Sequence, residues 1–337
     1  MASKSVGLVV GGAALGAISM ATYHRFSQPR RPTGMMPVPG PAPPVPVPAG
    51  GVPAVPATPV PRGPMPGPHQ PRSVEMVEKA REILPFGFPG PVSDTIYRNA
   101  YVVSYNRRDR NPNWVAEHLT ATSIQRADGV DRKKSQFKED ETVPPMFRAR
   151  LSDYFRSNFD RGHMVPAADA KISQDAMDET FYLTNISPQV GDGFNRDYWA
   201  YFENFCRNLT KSFSDVYVFT GPLYLPHQEN DGKFYVKYQV IGNPPNVAVP
   251  THFYKVILTQ NNGRYSVGAF VLPNRPISDD TPLEQFKVPL DAVERGAGLT
   301  FFDRMDKSGL GDLCKETKCK VVLTKFAEAN KKKALSS

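Results

Sequence analysis

Seventeen of the chain's 34 prolines fall between Pro29 and Pro71. Proline has no amide donor and fixes φ, so such a run enters neither a helix interior nor a central strand. It reads as disordered, extended polyproline II, on the order of 130 Å long if straight. Spacings such as Pro41 to Pro44 meet the minimal Pro-x-x-Pro pattern of an SH3 or WW ligand. A passive spacer is the simpler reading. Any packed core must therefore be built downstream of this run.

Charge divides the chain at the same place. The whole sequence carries 41 Lys and Arg against 33 Asp and Glu, a net of +8. Residues 1–74 hold no acid, and six bases (Lys4, Arg25, Arg30, Arg31, Arg62 and Arg72), so the remainder has 35 bases against 33 acids. Bulk charge is thus no nucleic-acid signature for the folded part. Ahead of the prolines, 19 uncharged residues lie between Lys4 and His24. At about 1.5 Å per residue they just span a hydrocarbon core, and Gly7, Gly11, Gly12 and Gly16 follow small-xxx-small spacing. A mitochondrial signal-anchor fits the missing acids and the following arginines. A secretory signal cleaved after Ser19-Met20-Ala21 and a buried helix are the alternatives. The expected organisation is a targeting or membrane-anchor segment (1–25), a proline-rich linker (26–72), one catalytic domain (73–330) and a basic tail (331–337).

Three cysteines exclude a disulfide-stapled scaffold and a four-cysteine zinc site. Cys206 is expected to be buried; Cys314 and Cys319 are read either as a pair or as two thiols. A short helix is expected over Val74–Leu84. Strand-like runs are Tyr101–Tyr105, Val216–Thr220, Phe234–Ile241, Phe253–Leu258 and Ser266–Leu272. The clearest helix is expected from Asn195 to about Lys211, with Tyr198, Phe202, Phe205 and Leu209 on its apolar face. Interspersed helices and closely following strands give an α+β fold with antiparallel sheets and flanking helices.

Asp160-Arg161-Gly162-His163 is the first candidate for chemistry. The helix from Asn195 would project Glu203 and Arg207 about 80° and 120° from Asn195, along one polar edge. Phosphodiester hydrolysis needs a base for water, a counter-charge and an acid for the leaving oxygen. Imidazole titrates near pH 6.5 and suits the base. An amide oxygen with a carboxylate acting through water suits a hydrated Mg²⁺, and arginine clamps phosphate. The sequence has no GxxxxGK[ST] loop, HExxH or G-x-S-x-G.

Asp160-Arg161-Gly162-His163, Asn185 and Asn195-x-x-x-Trp199-x-x-x-Glu203-x-x-x-Arg207 together resemble the DNA/RNA non-specific endonuclease family. The likeness runs from about Pro85 to Phe326. It includes Trp114-Val115-x-Glu117-His118, Thr220-Gly221-Pro222-Leu223-Tyr224 and Val249-Pro250-Thr251-His252-Phe253-Tyr254-Lys255. It is nearest to the mitochondrial members, and the long proline spacer points to a fungal form. The resemblance implies a ββα-metal active site and Mg²⁺, with Mn²⁺ able to replace it. His163 would be the general base and Asn195 the direct metal ligand, while Glu203 would act on the metal through water. Arg161 and Arg207 would sit near the scissile phosphate, Asn185 beside the metal site, and Asp160 behind it.

The resemblance further implies cleavage of DNA and RNA to 5′-phosphate and 3′-hydroxyl ends, a homodimer, and a place at the inner mitochondrial membrane facing the intermembrane space. The bases Arg107, Arg108, Arg110, Arg126, Arg132, Lys133, Lys134 and Lys138 either line the substrate groove or form a solvated loop. His118, His227 and His252 are read as structural. Activity is expected to fall below about pH 6 to 6.5 as His163 protonates. A non-catalytic binding protein and a secreted nuclease of the same chemistry are the rival readings. Sequons at Asn185 and Asn208 would place glycans beside the site, which weighs against secretion.

Overall fold

The computed structural model describes residues 74–87 and 94–321. The anchor and linker expected over 1–72 and the basic tail over 331–337 lie outside the described residues. Among the described residues no helix is long and apolar enough to cross a membrane.

Helix α1 (Val74–Ile83) closes in a turn in which the Gly87 amide donates to the Leu84 carbonyl. A meander follows: β1 (Asp94–Tyr97), β2 (Tyr101–Asn106) and β3 (Asn111–Leu119). The chain then leaves this sheet for α2 (Leu151–Tyr154), β4 (Asp160–His163), α3 (Gln174–Glu179), β5 (Ile186–Gln189) and α4 (Tyr198–Leu209). It returns in β6 (Asp215–Leu223). Two small ribbons come next, from β7 (His227–Gln228), β8 (Phe234–Tyr235), β9 (Val240–Ile241) and β10 (Val247–Ala248). The long hairpin of β11 (His252–Asn261) and β12 (Arg264–Pro273) precedes β13 (Lys287–Val288), α5 (Leu290–Ala297), β14 (Gly311–Asp312) and α6 (Leu313–Glu316).

The main sheet runs β1-β2-β3-β6-β11-β12-β13, antiparallel throughout, with β14 added parallel to β12. This is the α+β architecture expected from the sequence. The β11–β12 turn is Asn262-Gly263, both at positive φ, which matches the twist of the two strands. Side chains alternate between two cores. Val103, Val115, Val218, Phe253 and Phe270 meet Trp199, Phe202 and Phe205 of α4 on one face. Val102, Trp114, Phe219 and Tyr254 meet Ala80 and Ile83 of α1, Val293 of α5, and Phe301 and Phe302 on the other. Each large side chain so buried contributes about 1.5–3 kcal/mol.

Two expectations are corrected. Phe234–Ile241 is not one strand. It breaks into β8 and β9, and Phe234, Tyr235, Val236, Tyr238 and Val240 are exposed. An alternating pattern reports a strand's period, not whether a partner and a covering layer exist. The helix from Asn195 starts instead at Tyr198, after a kinked turn. Its apolar face is as expected: Tyr198, Phe202, Phe205 and Leu209 are all buried. Cys206 is a buried free thiol, and Cys314 is bonded to Cys319.

Candidate active site

Strands β4 and β5 form a ribbon off the main sheet, pairing Asp160 with Gln189 and His163 with Ile186. A Cβ on Gly162 would stand 1.9 Å from the Gln189 side-chain oxygen and 2.5 Å from its Cγ, so glycine leaves the room that the buried Gln189 side chain fills. A turn then leads to α4. Gly193 has φ +76°, and its amide donates to Asp197 at 2.7 Å. Ribbon, turn and α4 enclose a cleft of about 420 Å³ lined by Asp160, Arg161, His163, Asn195, Arg196 and Glu203, with Arg132 and Phe137 from the loop after β3.

His163 ends β4 and is only 8% exposed. Its ring centroid lies 4.8 Å from that of Phe181 and 5.3 Å from that of Phe137. Its Nε2 has no hydrogen-bond partner among the protein atoms. Burial, with the positive Arg132 and Arg161 nearby, pushes its pKa down to about 3. The imidazole is therefore neutral throughout the range where a base is needed. The limb at pH 6 to 6.5 expected from the sequence is not what this burial predicts for His163.

Asn195 lies in the turn, not on the helix. Its Nδ2 donates to Asp160 at 2.9 Å. An ionised carboxylate only accepts, so the amide nitrogen must face Asp160 and the amide oxygen is left for another partner. Asp160 is itself forked by Arg196 at 2.8 and 2.6 Å. Burial alone would raise the Asp160 pKa. The hydrogen bonds from Arg196 and Asn195 outweigh it and hold the carboxyl below its ordinary value. Glu203 faces the cleft from α4. Burial pushes its pKa up to about 7, against the pull of Lys255 and Arg207.

Arg161 is exposed, with its guanidinium 4.3 Å from the Phe137 ring centroid. The remaining two expected residues lie elsewhere. Arg207 does not line the cleft: it donates to Asp169 at 2.7 Å and is largely buried. The polar-edge geometry placed Asn195, Glu203 and Arg207 on one helix flank. It fails because Asn195 precedes the helix and Arg207 turns to a carboxylate below. Asn185 is fully buried, and its side chain is spent on backbone. Its Nδ2 donates to the carbonyls of Val165 (2.9 Å) and Thr180 (2.8 Å), and its Oδ1 accepts from the Val165 amide (3.0 Å). It clamps the chain just beyond His163 and does not reach the cleft.

Of the eight bases between Arg107 and Lys138, only Arg132 lines the cleft. Arg107 is held by Asp94 at 2.7 Å, Arg126 bonds the Val130 carbonyl, and Lys138 lies over the Tyr182 ring. The sequence did not single out Phe137 or Arg196. It also missed a charged group under the floor. Lys255, 1% exposed, donates to Thr220 Oγ1 at 2.8 Å and sits 4.7 Å from the Trp199 ring centroid. Glu117 is buried too, and burial beside Asp169 raises its pKa well above the ordinary value against the pull of Lys255. The available signal was parity: Lys255 shares its strand face with Phe253 and Ile257, which point into the α4 core.

The donors suit a hydrated hard cation. Asn195 offers one oriented amide oxygen and Glu203 a carboxylate across the same cleft. Among the described residues no group of three or more His, Cys, Asp or Glu is arranged to hold a metal. Such an ion would keep most of its ligands as water, as Mg²⁺ does.

A sequence model of the DNA/RNA non-specific endonuclease family matches residues 79–308. The chain belongs to this family. It is a nonspecific nuclease, a hydrolase of phosphodiester bonds. Among relatives, Nuclease C1 of Cunninghamella echinulata var. echinulata is 60% identical over 243 residues, covering 72% of this chain and 96% of that protein. Mitochondrial nuclease of Saccharomyces cerevisiae is 54% identical over 251 residues, covering 72% of this chain and 76% of that protein. A chain in the crystal structure of the EndoG/EndoGI complex shares the fold with a TM-score of 0.67 and 52% identity, over 69% of this chain and 94% of that one. The cleft lies wholly inside the span that the family match covers.

Proposed function

We propose that this nuclease is Mg²⁺-dependent, with Mn²⁺ able to replace Mg²⁺, and uses His163 as general base. It cuts DNA and RNA endonucleolytically to leave 5′-phosphate and 3′-hydroxyl ends. The observation that carries this reading is the buried, neutral imidazole whose Nε2 lacks a protein partner in the cleft. A proton taken from water at Nε2 gives the nucleophile. The resulting imidazolium is disfavoured by burial and by two arginines, so the proton is readily passed on.

Asn195 would hold the cation through its amide oxygen, kept in orientation by Asp160 and Arg196. Glu203 would accept hydrogen bonds from the water around it. When bound, Mg²⁺ supplies charge neutralisation at the phosphate and acidity toward the leaving 3′ oxygen. Arg161 and Arg132 add positive charge beside the phosphate. Arg207 and Asn185 contribute by position: one supports α4 through Asp169, the other fixes the backbone after His163. Groups that read phosphate and sugar carry no base information, so little sequence specificity is expected.

Relatives named as mitochondrial nucleases, together with the acid-free apolar start, support a mitochondrial enzyme anchored at the inner membrane and facing the intermembrane space. A homodimer is part of the same reading. The test is cleavage of plasmid and RNA with Mg²⁺ by the parent and His163→Ala. A drop of about 10²–10⁴ with an unchanged fold is expected; equal rates would sink His163 as base.

A further inference from the structure

The turn that feeds β4 presents an aromatic ring to solvent. Phe155 is 73% exposed, more than any other large apolar side chain among the described residues. One exposed ring is ordinary; this one is held in place. Its neighbours Arg156 and Asn158 have φ +53° and +66°, a region L-residues other than glycine seldom occupy. Such conformations persist where the surroundings over-determine them, and they cluster at functional sites.

The surroundings here do so. The Ser157 hydroxyl donates to the Tyr154 carbonyl at 3.0 Å and accepts from the Phe159 amide at 3.2 Å. Tyr154 is buried, and Asp153 beside it accepts from the Arg150 amide and from Asn246, both at 2.7 Å. The turn is thus tied down at both ends while its tip faces water. At that tip the Arg156 guanidinium stands 5.0 Å from the Phe155 ring centroid. Within the cleft, Arg161 on the strand this turn enters forms the same kind of pair with Phe137. Phe155 is five Cα steps from Asp160, so the outer pair lies within about 19 Å of the cleft wall.

We propose that Phe155, backed by Arg156, is a stacking subsite for an unpaired base of the strand entering the cleft. This rests on the nuclease reading and deepens it. Every base has a π-face, so stacking on a ring tolerates any sequence, in keeping with a nonspecific enzyme. In a duplex both faces of a base are already stacked, and reaching Phe155 would require extrusion. The subsite therefore favours single-stranded DNA and RNA, or locally opened duplex.

Binding without turnover separates this from catalysis. Labelled 12-mers, single-stranded and duplex, are titrated in chelator against the full chain, Phe155→Ala and Phe155→Trp. Phe155→Ala should weaken single-strand binding about tenfold, the scale of one base–aromatic stack, with a much smaller loss for duplex. Phe155→Trp should restore it. Single-stranded oligomers carrying one abasic position should reproduce the loss in the parent at a single register and none in Phe155→Ala. Equal losses for the two substrates, or an abasic scan without a special register, would overturn the subsite. Absent cleavage by the parent in Mg²⁺ would instead count against the nuclease reading, with the binding ratio still deciding the subsite.

Discussion

Both faces of the main sheet are packed with buried apolar side chains, yet only the α4 side hides charge. Behind the sheet, Trp114, Phe219, Tyr254, Phe301 and Phe302 fill the space to α1 and α5, with ring centroids such as Phe219–Phe301 at 5.4 Å. Under α4, the same alternation delivers Glu117, Thr220 and Lys255 among Trp199, Phe202 and Phe253. Buried charge stabilises a fold poorly compared with a well-packed apolar group. Its presence on the cleft side alone marks where stability has been traded for the electrostatics of Glu203, which Lys255 and Arg207 both pull toward ionisation.

Matched substitutions on the two faces should give the largest effects and break the comparison if they behave alike. Phe301→Ala should cost about 3–5 kcal/mol by cavity formation, with kcat per folded molecule unchanged. Lys255→Met removes the charge that pulls Glu203 toward ionisation and leaves the buried Thr220 hydroxyl without its donor. It should cost less stability, about 1–3 kcal/mol, and should lower kcat. Denaturant melts with active-site titration would tell them apart. Identical kinetics in the two variants would remove the functional meaning of the buried charge.

A smaller effect is expected at the cleft rim. Asp160→Ala removes the acceptor that orients the Asn195 amide and the anchor of Arg196. Groups that orient a metal ligand are worth about 10–100-fold in metal affinity or activity. The Mg²⁺ concentration giving half-maximal rate should rise within that range, with Tm little changed. An unaltered metal response would show that Asn195 is held some other way.

The smallest expected effect is in pH. His163 stays neutral down to about pH 3 and so gives no limb near neutrality. Glu203, with its pKa raised to about 7, ionises as pH rises, and the rate at low Mg²⁺ should climb about tenfold from pH 6 to 8. A cation favours the ionised carboxylate, so added Mg²⁺ should move the midpoint down. For stability the sign is opposite. A pKa raised on folding gives stability that is full below the unfolded value and lost as pH rises through about 7. Glu203→Gln should therefore melt several degrees above the parent at pH 8, about 2–4 °C for each kcal/mol recovered, and show no gain near pH 4. A limb near pH 6.5 that survives in Glu203→Gln would return the titration to His163.

Much of the fold was legible in local pattern. The strands from Tyr101, Val216, Phe253 and Ser266 are runs rich in β-branched and aromatic residues, and α4 shows its buried face every three or four residues. Phe234–Ile241 has the same pattern and fails, since nothing local records that no layer covers it. In the site, the Asp160–His163 tetrapeptide, Asn195 and Glu203 do meet in one cleft. Arg207 and Asn185 do not reach it, because Asp169 and the backbone at Val165 compete for their hydrogen-bonding groups. Neither competitor is visible from a helix wheel.

What the sequence determined by itself is what covalent order and residue chemistry impose. Apolar period sets helix against strand, and an Asp-Arg-Gly-His run with Asn and Glu downstream points to phosphodiester chemistry. Tertiary structure alone decided which polar groups face the cleft and which are consumed in holding it. Hydrogen-bond partners 20 to 40 residues away, such as Asp160 for Asn195 and Asp169 for Arg207, are chosen by distance in space. A buried donor or acceptor takes whichever partner the packing brings within about 3 Å.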